Sequence, residues 1–346
     1  MGDPLDFQTE DHEVVDHKQM GLDQLCDHVR RLDRVLLTTH PAPDGDAIGS
    51  VTALGLALNI SGCDVVMFNV DEVPGYLSFV PGADRFETEI ATSCPKHLLV
   101  LDASDSRVLP PSLAATDFES IVVIDHHRTI GDLGQIAYRD EGAAATGVLI
   151  YRLLKRLGLE ISEDIATALF VAISSDTGSF RFQNTDAECF SIANDLVSLG
   201  ANPGAISESL APKRSCVELK HIGQMLSSVV MLNNNKVAVI DIDDGELLSK
   251  ALSPRLGGGV IQLMRQIPGV EVAATVRRLA GEHLPPRFKV SMRSTGSVDV
   301  SRVAVNMGGG GHFYAAGATI EMADFSCVHE KIVAELAPKA PAVNAV

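Results

Sequence analysis

Acidic residues and histidines recur in this sequence in combinations that could bind metal ions. The segment HPAPDGD begins at residue 40, the triplet DHH begins at residue 125, and single aspartates stand at positions 102 and 176. The candidate residues are His40, Asp44, Asp46, Asp102, Asp125, His126, His127 and Asp176. Carboxylate and imidazole groups together suit divalent ions such as Mn²⁺, Mg²⁺, Fe²⁺ or Zn²⁺. The residue types therefore predict a site for divalent metal ions.

The number of candidate ligands indicates more than one ion. Six of them exceed what a single ion with open positions requires, and they fit two ions that share one carboxylate. Two ions held about 3.5–4 Å apart can clamp and polarise a phosphoryl group and supply a nucleophile at neutral pH. Four aspartates would also balance two divalent cations in formal charge. The set of residues favours hydrolysis of a phosphate ester.

Each of these residues by itself has an ordinary structural explanation. An aspartate at the end of a strand is commonly a helix N-cap, and Asp44-Gly45-Asp46 is a common turn sequence. The pair His126-His127 alone is more typical of local packing or of a surface than of a metal site. The joint pattern favours the metal site, because the acidic and histidine clusters fall where predicted strands or helices end.

The elements that must position these residues follow an alternating pattern of strand and helix. Short aliphatic runs predict strands at 35–39, 64–70, 97–102 and 120–127, and longer amphipathic or Ala-rich and Leu-rich segments predict helices at 47–60, 146–158, 162–176 and 187–200. Ser162 is the expected N-cap of the third helix, and Gly158 is expected to end the second. The pattern predicts an α/β fold with a parallel sheet covered by helices on both faces. Ligands bind at the carboxyl ends of the strands of such a sheet.

The chain is long enough for more than one domain, and its pattern changes along the sequence. We expect a flexible acidic arm at 1–20, the parallel-sheet domain at 21–205, a helical linker at 206–230 and a smaller α/β domain at 231–346. The smaller domain has predicted strands at 236–242, 270–279, 287–294 and 315–321 and a last helix near 325–336.

Composition limits the classes of partner. The 346 residues carry a formal net charge of -17, which disfavours long nucleic acid because its binding depends on Lys and Arg. A local pocket can still oppose the overall charge and bind a small anion. Six cysteines are scattered without a regular framework, and neither a signal peptide nor an apolar run of roughly 18 residues is present. We therefore expect a soluble, cytoplasmic protein that does not enter the membrane.

Five sequence motifs carry a resemblance to a known family. They are HPAPDGDAIGS (40–50), LDASDSRVL (101–109), VVIDHHRT (122–129), SDTGSFRF (175–182) and GGGGH (308–312). In this order they resemble the motifs of the DHH phosphoesterases with a DHH-associated C-terminal domain. The branch that they resemble includes nano-RNases and phosphoadenosine-phosphate phosphatases.

The resemblance implies a role for each candidate ligand. One metal ion would be held by His40, Asp44 and Asp102, and the other by Asp46, Asp102, His126 and Asp176, so that Asp102 bridges the two. His127 would lie beside the bound phosphate, and Asp125 would orient an imidazole. The expected ions are two Mn²⁺, with Mg²⁺, Fe²⁺ or Co²⁺ as alternatives. All six ligand positions match the family pattern, which argues against a non-catalytic relative.

The substrate contacts are expected in the second domain. The run Gly308 to Gly311 could bring successive backbone N–H groups close to an anion, and His312 could donate to the same phosphate. We expect substrate contacts from Gly309, Gly310, Gly311, His312 and Arg293, the last through a bidentate phosphate contact or base stacking. Arg181 and Arg302 are weaker candidates, and Phe180 and Phe182 are expected in the core.

The resemblance implies hydrolysis of short oligoribonucleotides of two to five nucleotides, linear dinucleotides such as pApA, or 3′-phosphoadenosine 5′-phosphate, to mononucleotides. A cleft between the two domains would select short substrates, and the protein would be a homodimer. The alternatives are a cyclic-dinucleotide phosphodiesterase, a RecJ-like single-strand exonuclease and a non-catalytic nucleotide-binding regulator. A family II pyrophosphatase is disfavoured by the GGGGH motif.

Overall fold

The computed structural model describes residues 18–90, 94–104, 106, 109–127, 133–134, 136–211, 213–249, 256–281 and 283–336. For a few of these, His312 among them, it describes the backbone only. The chain divides into two compact units, Met1–Pro212 and Lys213–Val346. The division falls inside the segment 206–230 that the sequence predicts as a helical linker.

A parallel sheet forms the centre of the first unit. Among its described residues, seven strands pair side by side in the order β1-β7-β6-β5-β2-β3-β4, and every pair is parallel. The strands are β1 (Lys18–Gln19), β2 (Arg34–Thr38), β3 (Asp64–Phe68), β4 (Phe86–Glu87), β5 (His97–Leu101), β6 (Ser120–Asp125) and β7 (Ile136–Arg139). The chain runs from β2 toward one edge of the sheet and from β5 toward the other, so a crevice opens between their carboxyl ends.

Helices cover both faces of this sheet, as the sequence predicts. They are α1 (Leu22–Val29), α2 (Gly45–Ile60), α3 (Pro111–Ala114), α4 (Thr146–Leu157), α5 (Glu163–Asp176), α6 (Ala187–Ser198) and α7 (Pro203–Leu210), with short 3₁₀ helices at Gly75–Leu77 and Ala83–Arg85. Most of these helices bury their apolar residues in one large aliphatic core. The short α3 lies on the opposite face, over a smaller core that includes Leu98 and Val123.

The packing of α2 against α5 brings the ends of these two helices close together. Gly45 and Gly49 lie on the side of α2 that faces α5. A Cβ atom on Gly49 would stand 2.5 Å from the carbonyl oxygen of Ala168, and one on Gly45 would stand 2.5 Å from Oγ of Ser175. Glycine is needed at both positions, because any side chain would push the helices apart.

The second unit contains a smaller mixed sheet. Its described strands follow the order β12-β13-β11-β10-β9-β8, with only β9 and β10 parallel. They are β8 (Val230–Leu232), β9 (Val237–Asp243), β10 (Val272–Arg278), β11 (Arg287–Ser294), β12 (Gly310–His312) and β13 (Ala315–Glu321). The helices are α8 (Cys216–Ser227), α9 (Asp244–Ser249), α10 (Leu256–Met264), α11 (Val300–Asn306) and α12 (Phe325–Leu336). Separate cores lie on the two faces, one with α8 and α10 and the other with α11 and α12.

The predicted α/β fold is confirmed, and most predicted elements agree with the structure within a few residues. Ser162 is the N-cap of α5, and Gly158 ends α4 in the left-handed region. Of the predicted arm at 1–20, residues 1–17 lie outside the described part, while Lys18–Gln19 pair with β7. The sequence did not predict α1, β7, α10 or α11, which are short. Within the described residues, no helix has the length and apolar character needed to cross a membrane.

Candidate metal centre

The residues that directly follow β2, β5 and β6 lie side by side at the carboxyl edge of the first sheet. Thr38 on β2 pairs with Val100 on β5, so His40 and Asp102 emerge two residues later at the same height. The strand register continues into β6, because the N–H of Asp102 donates to the carbonyl of Ile124 at 2.9 Å. The DHH triplet therefore begins beside Asp102. Adjacent strands thus bring residues more than 80 positions apart to one sheet edge.

Helix ends supply the other acidic side chains. Asp44 is the N-cap of α2 and accepts from the N–H groups of Asp46 and Ala47 at 3.0 and 3.1 Å. Asp46 lies in the first turn of α2 and is fully buried, and Asp176 is the last residue of α5. The N-cap explanation for Asp44 is therefore correct, but one of its oxygen atoms is left for another partner.

His126 lies among three carboxylates. Its Nε2 atom is 3.2 Å from Asp176 Oδ2, 3.5 Å from Asp102 Oδ1 and 3.7 Å from Asp46 Oδ2. Its Nδ1 atom donates to the carbonyl of Ala143 at 3.1 Å, since a carbonyl can only accept. In the neutral ring the Nε2 lone pair therefore faces the carboxylates, and this buried atom has no hydrogen-bond partner among the described residues. A metal ligand needs this tautomer and this environment.

Asp102 stands between the two histidines. Its Oδ2 atom lies 3.6 Å from His40 Nε2, and its Oδ1 atom lies 3.5 Å from His126 Nε2. The side chain is 3% exposed, and its backbone has a φ of 59°, in the left-handed region that a residue with a side chain rarely adopts. The two oxygen atoms of one carboxylate therefore face two different groups of ligands, as a bridging carboxylate requires. Strain of this kind is concentrated at functional sites.

The candidate ligands fall into overlapping groups whose ligand atoms lie within 4.8 Å of one another. The groups are His40 with Asp44 and Asp102, Asp46 with His126 and Asp176, and Asp102 with His126 and His127. The first two groups contain all six residues that the sequence motifs suggest as ligands. Asp and His side chains in two groups joined by Asp102 form a donor set that fits two divalent ions.

The electrostatics of the centre indicate a need for added positive charge. Burial raises the pKa of Asp44 and Asp46, and the negative charges of Asp102 and Asp176 raise both further. Burial lowers the pKa of His40, but Asp102, the Pro41 carbonyl and Asp44 outweigh it and raise the value to about 9.

His126 shows the same balance. Burial lowers its pKa, but the carboxylates of Asp176, Asp46 and Asp102 outweigh burial and raise the value to about 10. Buried carboxylates that lie close together bind cations, which neutralise their negative charge. When no metal ion is bound, protons neutralise it instead.

Asp125 and His127 form a separate pair beside the two groups. The Nδ1 atom of His127 donates to Asp125 Oδ1 at 2.7 Å, and the backbone N–H of His127 donates to the same oxygen at 3.1 Å. Burial raises the pKa of Asp125, but the hydrogen bonds and the charge of His127 outweigh it and lower the value to about 2. Asp125 is therefore an anion that fixes the orientation of the His127 ring.

Some residues of the centre could not be identified from the sequence. The backbone N–H groups of Thr146 and Gly147 donate to the two oxygens of Asp46 at 2.6 and 2.9 Å, and Ser50 Oγ donates to Asp46 at 3.0 Å. The hydroxyl of Thr146 donates to Asp102 Oδ1 at 2.9 Å. The N-terminus of α4 thus holds two of the carboxylates. The run of small residues before this helix, AAATG, is the only local signal for it.

The glycine motif of the second unit is more ordered than the sequence predicts. The N–H groups of Gly308 and Gly309 donate to the carbonyls of Val305 and Ala304 at the end of α11, so these two amides are already bonded. Two of the four amides that the sequence offers to an anion therefore already have carbonyl acceptors.

Packing explains two of these glycines. A Cβ on Gly309 would stand 2.1 Å from the carbonyl oxygen of Gly317, and one on Gly311 would stand 2.5 Å from Cα of Ala316. Gly310 has open space at the corresponding position. Gly310–His312 form the edge strand β12, which pairs with β13 on one side. The side chain of His312 lies outside the described part of the structure.

The remaining candidates lie in different settings. Arg293 stands near the end of β11, half-buried, and its register partners are Ala273 and Ala315. Phe180 packs against Phe170 and belongs to the core as predicted, whereas Phe182 is 42% exposed and the same prediction for it is wrong. Arg181 and Arg302 are exposed, in the first and the second unit respectively.

Comparison with known proteins identifies the family. Residues 34–173 match the DHH family, N-terminal domain, and residues 234–336 match the DHHA1 domain. A relative from Thermus thermophilus is 31% identical over 307 residues, covering 86% of this chain and 88% of its own. The chain therefore belongs to the DHH family and is a metal-dependent hydrolase. The Thermus relative is the bifunctional oligoribonuclease and PAP phosphatase NrnA.

Solved structures share the fold. An exopolyphosphatase-related protein from Bacteroides fragilis superposes with a TM-score of 0.81 at 23% identity, covering 91% of this chain and 95% of its own. An exonuclease RecJ bound to manganese has a TM-score of 0.51 at 16% identity, covering 94% of this chain and 97% of its own. At these identities the likeness is one of fold. The resemblance inferred from the five motifs is confirmed.

Proposed function

We propose that this protein hydrolyses short oligoribonucleotides of two to five nucleotides, linear dinucleotides such as pApA, and 3′-phosphoadenosine 5′-phosphate, to mononucleotides. The observation that carries the proposal is the position of Asp102. Its two oxygen atoms face His40 and His126 at 3.6 and 3.5 Å, within two groups of acidic and histidine ligands. This arrangement suits two-metal hydrolysis of a phosphate ester.

Two divalent ions would be held by the residues that the motifs suggest. His40, Asp44 and Asp102 would bind one ion, and Asp46, Asp102, His126 and Asp176 would bind the other. When bound, such ions stabilise negative charge on a phosphoryl group and make water a stronger nucleophile. We propose Mn²⁺ as the ion, because four of the six proposed ligands are carboxylates, which suit it.

The protein's own groups position the ligands and move a proton. The N-terminus of α4 and Ser50 hold Asp46 in one orientation, and Thr146 holds Asp102. His127, fixed by Asp125, would donate a proton or a hydrogen bond to the leaving oxygen. Asp125 keeps His127 protonated, since a buried anion at 2.7 Å favours the imidazolium form.

Two further observations support short substrates. The Thermus relative, similar over most of both chains, is an oligoribonuclease and PAP phosphatase. The formal net charge of -17 opposes binding of long polyanions, whereas a short substrate meets fewer repulsive charges. We further propose substrate contacts from Arg293, Gly309, Gly310, Gly311 and His312 in the second unit, with Arg293 and His312 as side-chain donors and the glycines allowing close approach of the substrate to the backbone.

The remaining proposals concern organisation. We propose that 21–205 is the catalytic domain, 206–230 the linker and 231–346 the substrate-binding domain. We propose a homodimer in the cytoplasm, as the resemblance to the family suggests.

The test is a Mn²⁺-dependent hydrolysis panel with wild type, Asp102→Ala and the exposed-site control Asp84→Ala. The substrates are pApA, a five-nucleotide RNA, a 24-nucleotide RNA, 3′-phosphoadenosine 5′-phosphate, cyclic di-AMP and pyrophosphate. We expect cleavage of the dimer, the five-mer and 3′-phosphoadenosine 5′-phosphate, little cleavage of the 24-mer, and loss of activity only in Asp102→Ala, since removal of the bridge affects both ions.

Other outcomes would replace the proposal. Comparable cleavage of the 24-mer would indicate a RecJ-like exonuclease, and preference for cyclic di-AMP would indicate a cyclic-dinucleotide phosphodiesterase. Inactivity of metal-loaded wild type on every substrate would favour a nucleotide-binding regulator. Retained activity in Asp102→Ala would show that the bridging position is not needed.

A further inference from the structure

Two arginines of the second unit lie close together at one end of α10. Arg265 directly follows α10, and Arg293 stands near the end of β11, beside β10. Helix α10 packs on the same face of the sheet as Ala273, the register partner of Arg293. Both side chains therefore lie on the face that α10 covers, and both are half-buried.

Within the described part of the chain, neither guanidinium has an acidic partner. Among the residues that the structure describes, no carboxylate lies within ion-pair distance of Arg265 or Arg293, although the chain as a whole has an excess of acidic groups. Glu271, at the beginning of the same region, is paired with Lys236 at 2.9 Å. The two positive charges are thus left without compensation.

The hydrogen bonds of the pair are incomplete as well. Arg265 Nη1 donates to Gln262 Oε1 at 2.9 Å, but its Nε atom is buried and has no partner among the described residues. Arg293 Nη1 donates to the carbonyl of its neighbour Met292 at 2.9 Å, and the described residues offer this side chain no other acceptor. A buried N–H without an acceptor costs free energy, so the pair is better satisfied when an anion is bound.

Arg293 stands between small residues and close to the glycine motif. Its register partners on the adjacent strands are the small residues Ala273 and Ala315. Ala315 in turn pairs with His312 at the end of the glycine motif. Burial and the positive charge of Arg265 lower the pKa of Arg293, which shows that the two charges act on each other.

We propose that Arg265 and Arg293 together bind the terminal phosphate monoester of the substrate. A phosphate monoester carries about two negative charges near pH 7, which match two guanidinium groups, whereas an internal diester carries one. The planar guanidinium binds phosphate through two parallel hydrogen bonds. Arg293 is already among the expected substrate contacts, and Arg265 is the additional residue. The inference rests on the proposed function for its substrate class.

The first measurement is direct binding to metal-free protein, so that neither the metal centre nor turnover contributes. Isothermal titration calorimetry would compare AMP with adenosine for wild type, Arg265→Gln, Arg265→Lys and the control Arg287→Gln, which lies exposed at the other end of β11. We expect wild type and the control to bind AMP more tightly than adenosine. Arg265→Gln should weaken AMP binding about tenfold or more and leave adenosine unchanged, with Arg265→Lys between the two.

The second measurement is kcat/KM for pApA and for ApA, which lacks the terminal phosphate. Arg265→Gln should reduce the value for pApA about tenfold or more and change that for ApA less than about twofold. Equal losses on both dinucleotides, or equal binding of AMP and adenosine by wild type, would overturn the inference. If wild type cleaves neither dinucleotide but still discriminates AMP from adenosine through Arg265, the proposed function fails while the phosphate site stands.

Discussion

Asp102 is the residue at which the two groups of candidate ligands meet. It directly follows the buried strand β5 and adopts a φ of 59°, and its oxygen atom that faces His126 accepts a hydrogen bond from the hydroxyl of Thr146. This backbone conformation is costly for a residue with a Cβ atom. It persists because β5 fixes the preceding residues and the N–H of Asp102 donates to Ile124 in β6. A side chain one atom longer would move both oxygen atoms away from their present neighbours.

The pair of Asp125 and His127 leads to a prediction about pH. Burial lowers the pKa of His127, while the hydrogen bond to Asp125 and the charges of Asp102 and Asp125 raise it above its ordinary value. Because the protonated ring is the proposed donor, activity is lost as the pH rises through this pKa. Asp125→Asn removes one of the raising charges, so the alkaline limb of the kcat profile should move to lower pH. We expect kcat at pH 8 to fall about tenfold or more.

The measurement is the pH profile of kcat for pApA with saturating Mn²⁺, for wild type and Asp125→Asn. The exposed-site variant Asp84→Ala serves as the control and should retain the wild-type profile. A lower kcat with an unshifted alkaline limb would contradict the proton-donor role and leave Asp125 with a structural role alone.

At the scale of elements, the contact between α2 and α5 determines whether Asp46 and Asp176 can meet at His126. Gly49 permits this contact, since its missing Cβ would overlap Ala168 and Ala172. Gly49→Ala should therefore separate the helices, lower the free energy of unfolding by about 1–3 kcal/mol, and weaken Mn²⁺ binding. Chemical denaturation and calorimetric titration with Mn²⁺ measure the two effects.

The matched control is Gly223→Ala in α8, where a Cβ meets no atom within 4 Å. This change should stabilise the protein by up to about 1 kcal/mol, because alanine is the better helix former, and should leave Mn²⁺ binding unchanged. If Gly49→Ala behaves like Gly223→Ala, the helix contact is not what positions the carboxylates.

The glycine motif at 308–311 is held between α11 and β13. Four consecutive glycines predict an open loop with free amides. In the structure, Gly308 and Gly309 end α11, and Gly311 packs against β13. Most of the run is therefore explained by close approach of the backbone, and Gly310 is the position whose open side best suits a ligand.

At the scale of the whole molecule, the candidate ligands all belong to the first unit, while the second unit has its own two cores. Metal removal should therefore destabilise the first unit alone. Mn²⁺ at about 100 times its Kd should stabilise metal-free protein by about 2.7 kcal/mol. Hydrogen exchange with and without EDTA should show faster exchange in α2, β5 and the start of α4, and unchanged exchange in β10 and β11.

The destabilisation by EDTA should depend on pH, and two histidines determine the direction of this dependence. In metal-free protein the pKa of His40 is raised to about 9 and that of His126 to about 10, above the ordinary 6.5. The stability that their protonation contributes is complete below pH 6.5 and is lost as the pH rises through 9 to 10. The effect of EDTA should therefore grow over this range. If EDTA destabilised both units equally, or if its effect did not depend on pH, the placing of the metal ligands in the first unit would be contradicted.

The sequence by itself determined the types and order of the candidate ligands, the alternation of strand and helix, and the family. These features are local, since a buried strand or a capped helix depends on residues within one or two turns of each other. Each candidate ligand was recognisable because it follows such an element. The acidic composition also disfavours long nucleic acid without excluding small anions.

Only the tertiary structure decided how the ligands are arranged. The sharing of Asp102 between His40 and His126 and the support of Asp46 by the N-terminus of α4 both join residues that are far apart in sequence. Strand register and helix packing set these distances, because they result from the burial of a whole core. No local pattern of residues contains that information.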